Sequence, residues 1–558
     1  LPDRPLADRP LADRPLADLV FTVALVVAGP VILALNREQW FFLDEWSFLL
    51  ERDATSLTSV ISPHWGHCVV LPVLVYRGLF ALVGLDSYLP YQLPVVAAHL
   101  GLAAVLRTLL RRAGVEPGLA TAAGIVFLFL GSGRSNLAWG FQITLTGSLL
   151  SGFGALALLA PRTDRPDRPD GPDTPDTTDR TRARTVGAAA LLVVSVLCSN
   201  VGMVMVGIVG AAAFLLGGWR RAAAIAAPAI VVLGLWGLFA PVSERSVESA
   251  DPANALRFAW RAAGGALGGL TTWWPLTVAT VALAAVGVVG MAAGASGLRG
   301  RLRPELVVPV VLALAAPATA LALGRARGVA DEQAPTASRY VYLLVALGLV
   351  PLVVLLQEAV RHAARGRLAP HQRRLQGAVV VLVLAWLPVN LARVGPTTDA
   401  ERARLGSELQ MIYLAEMADV LDLPAGDELQ PGITVGALAE LRATGELPHP
   451  PSGVDDQVLR DRAEITAVLR ITEREPLGCE PLDPTVPADL LPGEVLVAPG
   501  PQEVTLLGPD GPGGSVLWLT ETRGTEVVEV HRPIRVRIDP LDGPDQAVSR
   551  CDGVPAGG

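Results

Sequence analysis

Up to about residue 395 the chain alternates between long apolar runs and short polar turns, most of them carrying arginine. The runs lie at residues 19–35, 88–106, 118–133, 142–160, 186–200, 201–218, 222–241, 275–295, 305–324, 340–357 and 377–394. Most approach the length of about 20 residues that a helix rising about 1.5 Å per residue needs to cross a hydrocarbon layer. The pattern therefore predicts about eleven transmembrane helices. The uncharged stretch from Thr185 to Trp219 is too long for one crossing, and Ser199-Asn200-Val201-Gly202 is the expected turn between two. Residues 66–84 are also apolar but carry Arg77 in mid-run, so they read as an amphipathic helix along the outer surface.

After Gly395 the pattern changes. Residues 400–421 and 453–472 have helical spacing, whereas EVLVAP, EVTLLG, SVLWLT and EVVEVHRPIRVRI are strand-like runs separated by Gly and Pro. The expected fold is an all-α polytopic membrane protein followed by a C-terminal α+β or β-rich domain over residues 396–558. Two polar segments complete the layout. The five-residue repeat LPDRPLADRPLADRPLAD, residues 1–18, reads as a disordered tail, and RTDRPDRPDGPDTPDTTDRTRAR, within 161–185, as a linker. The first apolar run has no small-residue cleavage site and leads into FFLDEW, so it is expected to remain as an anchor.

Arginine placement sets the expected orientation, because cytoplasmic loops hold the positive charge. With the N-terminus inside, the inner loops contain Arg107, Arg111 and Arg112, the 162–184 segment, Arg220 and Arg221, Arg299 to Arg303, and Arg361 to Arg374. The C-terminal domain then lies outside a plasma membrane, as does the first loop, residues 36–87. A hydrophobic content of 51%, a mean hydropathy of +0.44 and 18% charged residues agree with a bilayer as solvent. The net charge of −8 and the scattered arginines give no nucleic-acid footprint. Cys68, Cys198, Cys479 and Cys551 form no zinc spacing, and Cys479 and Cys551 are able to pair if their region faces an oxidising compartment.

Chemistry-bearing residues concentrate in FFLDEWSFLLERDATSLTSVISPHWGHCVVLP, residues 41–72. From Trp46 to Ile61 the apolar positions have helical spacing, which puts Asp44 and Glu45 at a helix start. Acids there favour the helix dipole, so capping is one reading and proton transfer the other. Trp40, Trp46 and Trp65 suit a lipid–water interface. On a helix, His64 and His67 would share a face and hold a divalent cation with Asp44 or Glu45, but Pro63 opposes helix there. Contacts to an acceptor or a sugar are the other reading, and no metal ligand is assigned.

The order of these elements resembles the GT-C membrane glycosyltransferases, which include protein mannosyltransferases, aminoarabinose transferases and mycobacterial arabinosyltransferases. The resemblance runs over residues 19–395 as a first span, LDEW, SPHWGH, the surface segment LPVLVYRGLFALVG, and SYLPYQLPVVAAHLGLAAVLRTLLRR ending in Arg-Arg. A second likeness is ASRYVYLL, residues 337–344, opening a late span after GRARGVADEQAPT. The family's His-Pro-Pro is replaced by Pro63-His64-Trp65-Gly66-His67, which suggests a divergent actinobacterial branch.

The resemblance implies transfer of a sugar from a polyprenyl-phosphate donor to a cell-envelope glycan, lipid or protein, with inversion at the anomeric carbon. Asp44 would be the base, with Glu45 second. Arg339 with Tyr340, Arg325, Arg327 and Arg134 would meet the donor phosphate, since a guanidinium grips two phosphate oxygens at once. His64, His67, Trp65 and Trp46 would contact substrate. The rival readings are a transporter or flippase for lipid-linked sugars, whose mark is ionisable residues in mid-span, and a non-catalytic envelope-assembly protein. Of such residues the spans hold little besides His99.

Overall fold

A computed structural model describes residues 13–161, 175–241, 252–295, 304–326, 336–365 and 368–396 and, towards the C-terminus, residues 428–430, 433–447, 469–471, 477–483, 486–498, 502–507, 516–519, 526–530, 534–540 and 548–552. The apolar runs fold as helices because helix satisfies every backbone group within its own segment. They are α1 (Asp13–Leu35), α5 (Leu89–Arg112), α6 (Pro117–Leu128), α8 (Ile143–Leu159), α9 (Pro175–Cys198), α10 (Val201–Phe239), α12 (Trp274–Ala295), α13 (Pro304–Ala326), α14 (Ser338–Ala363), α15 (Gln372–Leu384) and α16 (Leu387–Ala392). Shorter pieces lie between them: α2 (Asp44–Leu50), α3 (Leu57–Ile61), α4 (Val70–Val83), α7 (Ser135–Ala138) and α11 (Pro252–Thr271).

Among the described residues, nine helical segments are long and apolar enough to cross a membrane, with α15 and α16 counted as one segment, Ala369–Ala392. The protein is a multi-pass helical membrane protein with a small sheet region at its C-terminal end. Two of the expected crossings share α10, which is interrupted at Gly218. That residue has φ 76° and ψ 179°, a conformation open essentially to glycine alone. The expected turn at Ser199-Asn200 is present, between the end of α9 at Cys198 and the start of α10 at Val201.

Four expectations are corrected, and one helix is added. The 118–133 run holds only the 12-residue α6, because Gly131-Ser132-Gly133 turns the chain out of helix. The Trp46–Ile61 stretch is two short helices, not one; α2 stops at Leu50, and Ser56 caps α3 by accepting from the Ser59 amide. Residues 13–18 of the opening repeat belong to α1, and Asp18 pairs with Arg107. Residues 175–184 of the linker belong to α9, with Pro175 at its first position, where a missing amide proton costs nothing. The α11 helix was not anticipated, since Arg257, Arg261 and four glycines dilute its hydropathy. Residues 1–12 and 162–174 lie outside the described residues, as do the expected helices at 400–421 and 453–468.

The chain divides into two compact units. The first comprises residues 1–37, 53–78 and 89–397, and contains the long helices. Its core includes Phe127, Phe153, Leu149, Tyr342 and Trp386, all fully buried. The second comprises residues 38–52, 79–88 and 398–558.

In the second unit, β1 (Glu428–Gln430) and β2 (Ile433–Thr434) form a two-stranded ribbon leading into α17 (Val435–Ala443). β3 (Leu469–Ile471), β4 (Leu477–Pro481), β5 (Ala488–Leu490), β6 (Glu494–Ala498), β7 (Gln502–Leu507), β8 (Val516–Leu519), β9 (Glu526–Val530), β10 (Ile534–Pro540) and β11 (Ser549–Asp552) follow. They form two antiparallel sheets, ordered β5-β10-β7-β8 and β3-β9-β6-β11-β4. All four strand-like runs seen in the sequence are strands. The side chain of Trp518, in β8, lies outside the described residues.

Cys479 on β4 and Cys551 on β11 form a disulfide between neighbouring strands, 72 residues apart in sequence. In the chain-entropy view, closing such a loop constrains the unfolded chain by about 4 kcal/mol. Reduction, or the Cys479→Ser/Cys551→Ser pair, should therefore lower the denaturation midpoint of the sheet region while leaving the helical signal of the membrane unit unchanged. Circular dichroism on heating with and without reductant checks this.

Candidate functional site

The acidic helix belongs to the second unit, where α2 packs against β2. Leu43, just before α2, has φ 44°, a left-handed conformation that is costly for a bulky side chain, so the entry into α2 is held under strain. The two carboxylates behind it differ sharply. Glu45 is fully buried; one oxygen accepts from the Phe42 amide at 2.8 Å and the other from the Tyr88 hydroxyl at 2.7 Å. This ties the first turn back on itself in the manner of a capping box. Asp44 is only partly buried. Glu45 thus carries the capping role, and Asp44 is the carboxylate better suited to meet a substrate.

Trp46 is a core side chain, 1% exposed and packed on Phe41, whose ring also meets Tyr88 edge-on at 5.0 Å. Arg52 is a buried cation that sequence reading passed over, because ERD reads as a solvated turn. Burial holds its guanidinium below the ordinary value, and Glu51 opposes that shift.

The histidine pair belongs to the first unit and is not helical. His64 and His67 exchange both backbone hydrogen bonds, at 3.0 and 2.8 Å, across Trp65 and Gly66. Trp65 and Gly66 have φ 50° and 75°, the two positive values of a type I′ hairpin turn. Asn200, in the turn between α9 and α10, clamps this hairpin: its amide donates to the Gly66 carbonyl at 3.0 Å, and its oxygen accepts from the Cys68 amide at 3.1 Å. His64 is buried against the Phe141 ring, while Trp65, 55% exposed, and His67 face outwards. Among the described residues, no three His, Cys, Asp or Glu side chains converge as a metal site. Loss of hydration at the Cys68 thiol, next to the hairpin, raises its pKa to about 11.

In the first unit, Arg339 stands at the start of α14. The segment from Gly131 to Ala138 docks there: the Ser135 amide donates to Ser338 Oγ at 3.1 Å, and Asn136 Nδ2 donates to the Ser338 carbonyl at 3.4 Å. Ser132 is fixed from behind, its amide donating to Asn390 Oδ1 at 3.4 Å. Arg134 Nε donates to Asn36 Oδ1 at 3.3 Å, and Asn36 in turn donates to the Ile32 and Val394 carbonyls. Gln92 adds bonds to the Asn36 and Ala138 carbonyls. Arg134 is thereby a member of a buried polar network joining α1, α5 and the segment after α16.

Close approach makes glycine necessary at 131, where an added Cβ would sit 2.1 Å from the Asn390 carbonyl oxygen. Gly131→Ala is expected to cost about 1–3 kcal/mol or more through forced backbone displacement, read as a fall in the melting temperature of the detergent-solubilised protein.

Arg339 projects from the first turn of α14, its guanidinium carbon 5.2 Å from the centre of the Tyr340 ring. Its Nε, together with Ser132 Oγ and Asn136 Oδ1, is buried with no hydrogen-bond partner among the described residues. The three atoms lie on two adjoining segments, and an unmade buried hydrogen bond costs about 1–3 kcal/mol. α11 roofs this place. Phe258 meets the Tyr340 ring at 5.9 Å, while a Cβ at Gly265 would touch Thr336 and one at Gly269 would touch Ser132 and Val341. Three points spread over about three turns of α11 all fall on residues 336–341 or the loop beside them, so α11 crosses the head of α14. Arg325 lies in the last turn of α13, with its side chain outside the described residues, and Arg327 lies outside them altogether.

His99, the one histidine in mid-span, is fully buried, with one ring nitrogen on the Tyr342 hydroxyl at 2.9 Å and the other on the Leu128 carbonyl at 3.1 Å. Both nitrogens are spent on structure.

No protein-family model, curated protein or solved structure matches the chain. The membrane arrangement of the helices follows from their length and composition; what the site does has to be argued from its own chemistry.

Asn200, Ser132, Asn136 and α11 are the parts that sequence reading missed. A signal existed for some of them: GSGRSN and CSN are polar interruptions in otherwise apolar runs, where a polar group needs a designated partner.

Proposed function

We propose that the chain is an integral membrane glycosyltransferase that takes a sugar from a polyprenyl-phosphate donor and transfers it to a cell-envelope glycan, lipid or protein at the outer face of the plasma membrane. The observation that carries the reading is Arg339, a cation at the start of a membrane helix beside Tyr340, with a buried Nε that lacks a partner among the described residues, on a helix start against which the segment holding the orphaned Ser132 and Asn136 atoms docks. A lipid monophosphate supplies acceptor oxygens for the Arg339 guanidinium and the Ser132 hydroxyl, and its isoprenoid tail stays in the bilayer. The transporter reading is weakened by His99, whose two ring nitrogens are sealed in the core and offer no relay.

In the proposed reaction the acceptor oxygen bonds to the anomeric carbon as the bond from that carbon to the lipid phosphate oxygen breaks. The acceptor's proton passes to the Asp44 carboxylate, and the phosphate departs with the bonding pair, its charge held by Arg339. Attack opposite the leaving group inverts the anomeric centre. Trp65 and His67, exposed on a hairpin that Asn200 holds rigid, are suited to contact sugar.

The cytoplasmic N-terminus and extracytoplasmic C-terminal region belong to the same proposal. The Cys479–Cys551 disulfide supports the oxidising side for the latter. Arginines support the opposite side for the ends of α5 and α14, at Arg111, Arg112 and Arg361. The test is direct: purified protein in vesicles with radiolabelled polyprenyl-phosphate pentoses and hexoses should release free polyprenyl phosphate when an envelope extract is added as acceptor. Binding of those lipids without any release would refute transfer.

A further inference from the structure

A second polar cavity lies within the membrane unit, far from Arg339. It has a volume of about 390 Å³ and sits among the end of α8, the first part of α9, the middle of α10 and the start of α13. α13 runs about 33 Å along its axis from Pro304, at this cavity, to Ala326. The cavity also falls at the arginine-rich ends of the helices.

Its lining is divided in character. Arg184, Arg221 and Thr181 provide the polar groups; Leu159, Leu215 and Val307 are among its apolar walls. Arg221 Nε is buried with no hydrogen-bond partner among the described residues, and neither Arg184 nor Arg221 makes a salt bridge to them. Gly218 breaks α10 three residues before Arg221, which lines this cavity, and Gly217 leaves room for its stem: a Cβ there would lie 2.5 Å from Arg221 Cδ. The first turn of α13 adds the positive end of a 23-residue helix. Two guanidiniums, a hydroxyl and a helix N-terminus converging on one apolar-walled space form a receptor for a phosphate group that carries hydrocarbon.

We infer that this cavity binds the headgroup of an anionic phospholipid of the bilayer, the two arginines gripping its phosphate and the leucines and Val307 receiving the first methylenes of its chains. The binding is separate from catalysis and from the donor lipid. It fixes α8, α9, α10 and α13 to one another at the end where the chain has polar connections.

The experiment uses the purified full chain, delipidated and then titrated with dioleoyl phosphatidic acid, dioleoyl phosphatidylcholine or inorganic phosphate, with bound lipid counted by native mass spectrometry and melting temperature read in parallel. Phosphatidic acid should bind saturably and raise the melting temperature, while phosphatidylcholine and inorganic phosphate should do neither. Arg184→Gln/Arg221→Gln should weaken that binding by about tenfold or more, the value of one lost charge-assisted hydrogen bond. Arg373→Gln/Arg374→Gln, which removes the same charge from exposed positions, should change it less than about twofold. If the paired variant does not fold, each single glutamine variant is read in its place. Equal weakening by the two pairs, unchanged binding in the cavity variants, or inorganic phosphate stabilising as well as the lipid would each overturn the inference. None of these results depends on whether sugar transfer is observed.

Discussion

Asp44→Asn is expected to lower sugar transfer by about 10²–10⁴-fold, the usual contribution of a positioned general base, while changing the melting temperature less than Glu45→Gln does. The amide keeps the size of the carboxylate and its place at the start of α2 but cannot take the acceptor's proton. The adjacent carboxylate provides the contrast. Glu45→Gln leaves one half of a buried pair of hydrogen bonds mismatched, because the Tyr88 hydroxyl and the Phe42 amide both donate to it. A cost of about 1–3 kcal/mol in stability follows, with turnover per folded molecule preserved. Measuring both variants by thermal shift and by turnover separates a base from a cap. If the two signatures were exchanged, the base would be Glu45 and the structural carboxylate Asp44.

The second large effect is expected at Arg339. Arg339→Gln should reduce transfer by about 10²–10³-fold, the range seen when a group that stabilises developing charge is removed. Affinity for polyprenyl phosphate, the product common to every donor of this class, should fall in parallel. Arg339→Lys should recover part of the binding, since an ammonium keeps the charge but lacks the planar fork. Arg134→Gln should behave differently: Arg134 bonds to Asn36 inside a core network, so its loss should appear first as reduced thermal stability. A donor-binding series over these three variants is the relevant measurement.

The membrane helices were legible because burial in lipid demands long uninterrupted apolar runs, and α1, α5, α8, α12, α13 and α14 each coincide with one. α11 was hidden for the same reason: it meets protein on one side only, and its buried positions Ala255, Phe258, Ala262, Ala266 and Leu270 show themselves by spacing instead of by mean hydropathy. The α6 boundary was misjudged because Phe129 and Leu130 are as apolar as any helical residue, while the backbone there obeys the glycines that follow.

At the site, sequence could nominate Asp44, Glu45 and Arg339 by residue type and position. It could not divide the labour between the carboxylates, since that depends on Tyr88, 43 residues further along. Nor could it foresee the hairpin at His64–His67. Pro63 argued against helix, but the clamp comes from Asn200, 134 residues beyond the Gly66 carbonyl that it holds. Side chains fixed by distant partners are the ones that local pattern leaves undetermined.

The proposal of sugar transfer is tested most directly by the fate of the donor. Purified protein in vesicles is given polyprenyl-phosphate sugar labelled in both sugar and lipid, with envelope extract as acceptor. The expected result is that the sugar label leaves the lipid fraction with equimolar appearance of polyprenyl phosphate, and that Asp44→Asn stops this while still binding the donor. Sugar and lipid labels that stay together in wild-type protein, or that separate equally fast in Asp44→Asn, would contradict the account.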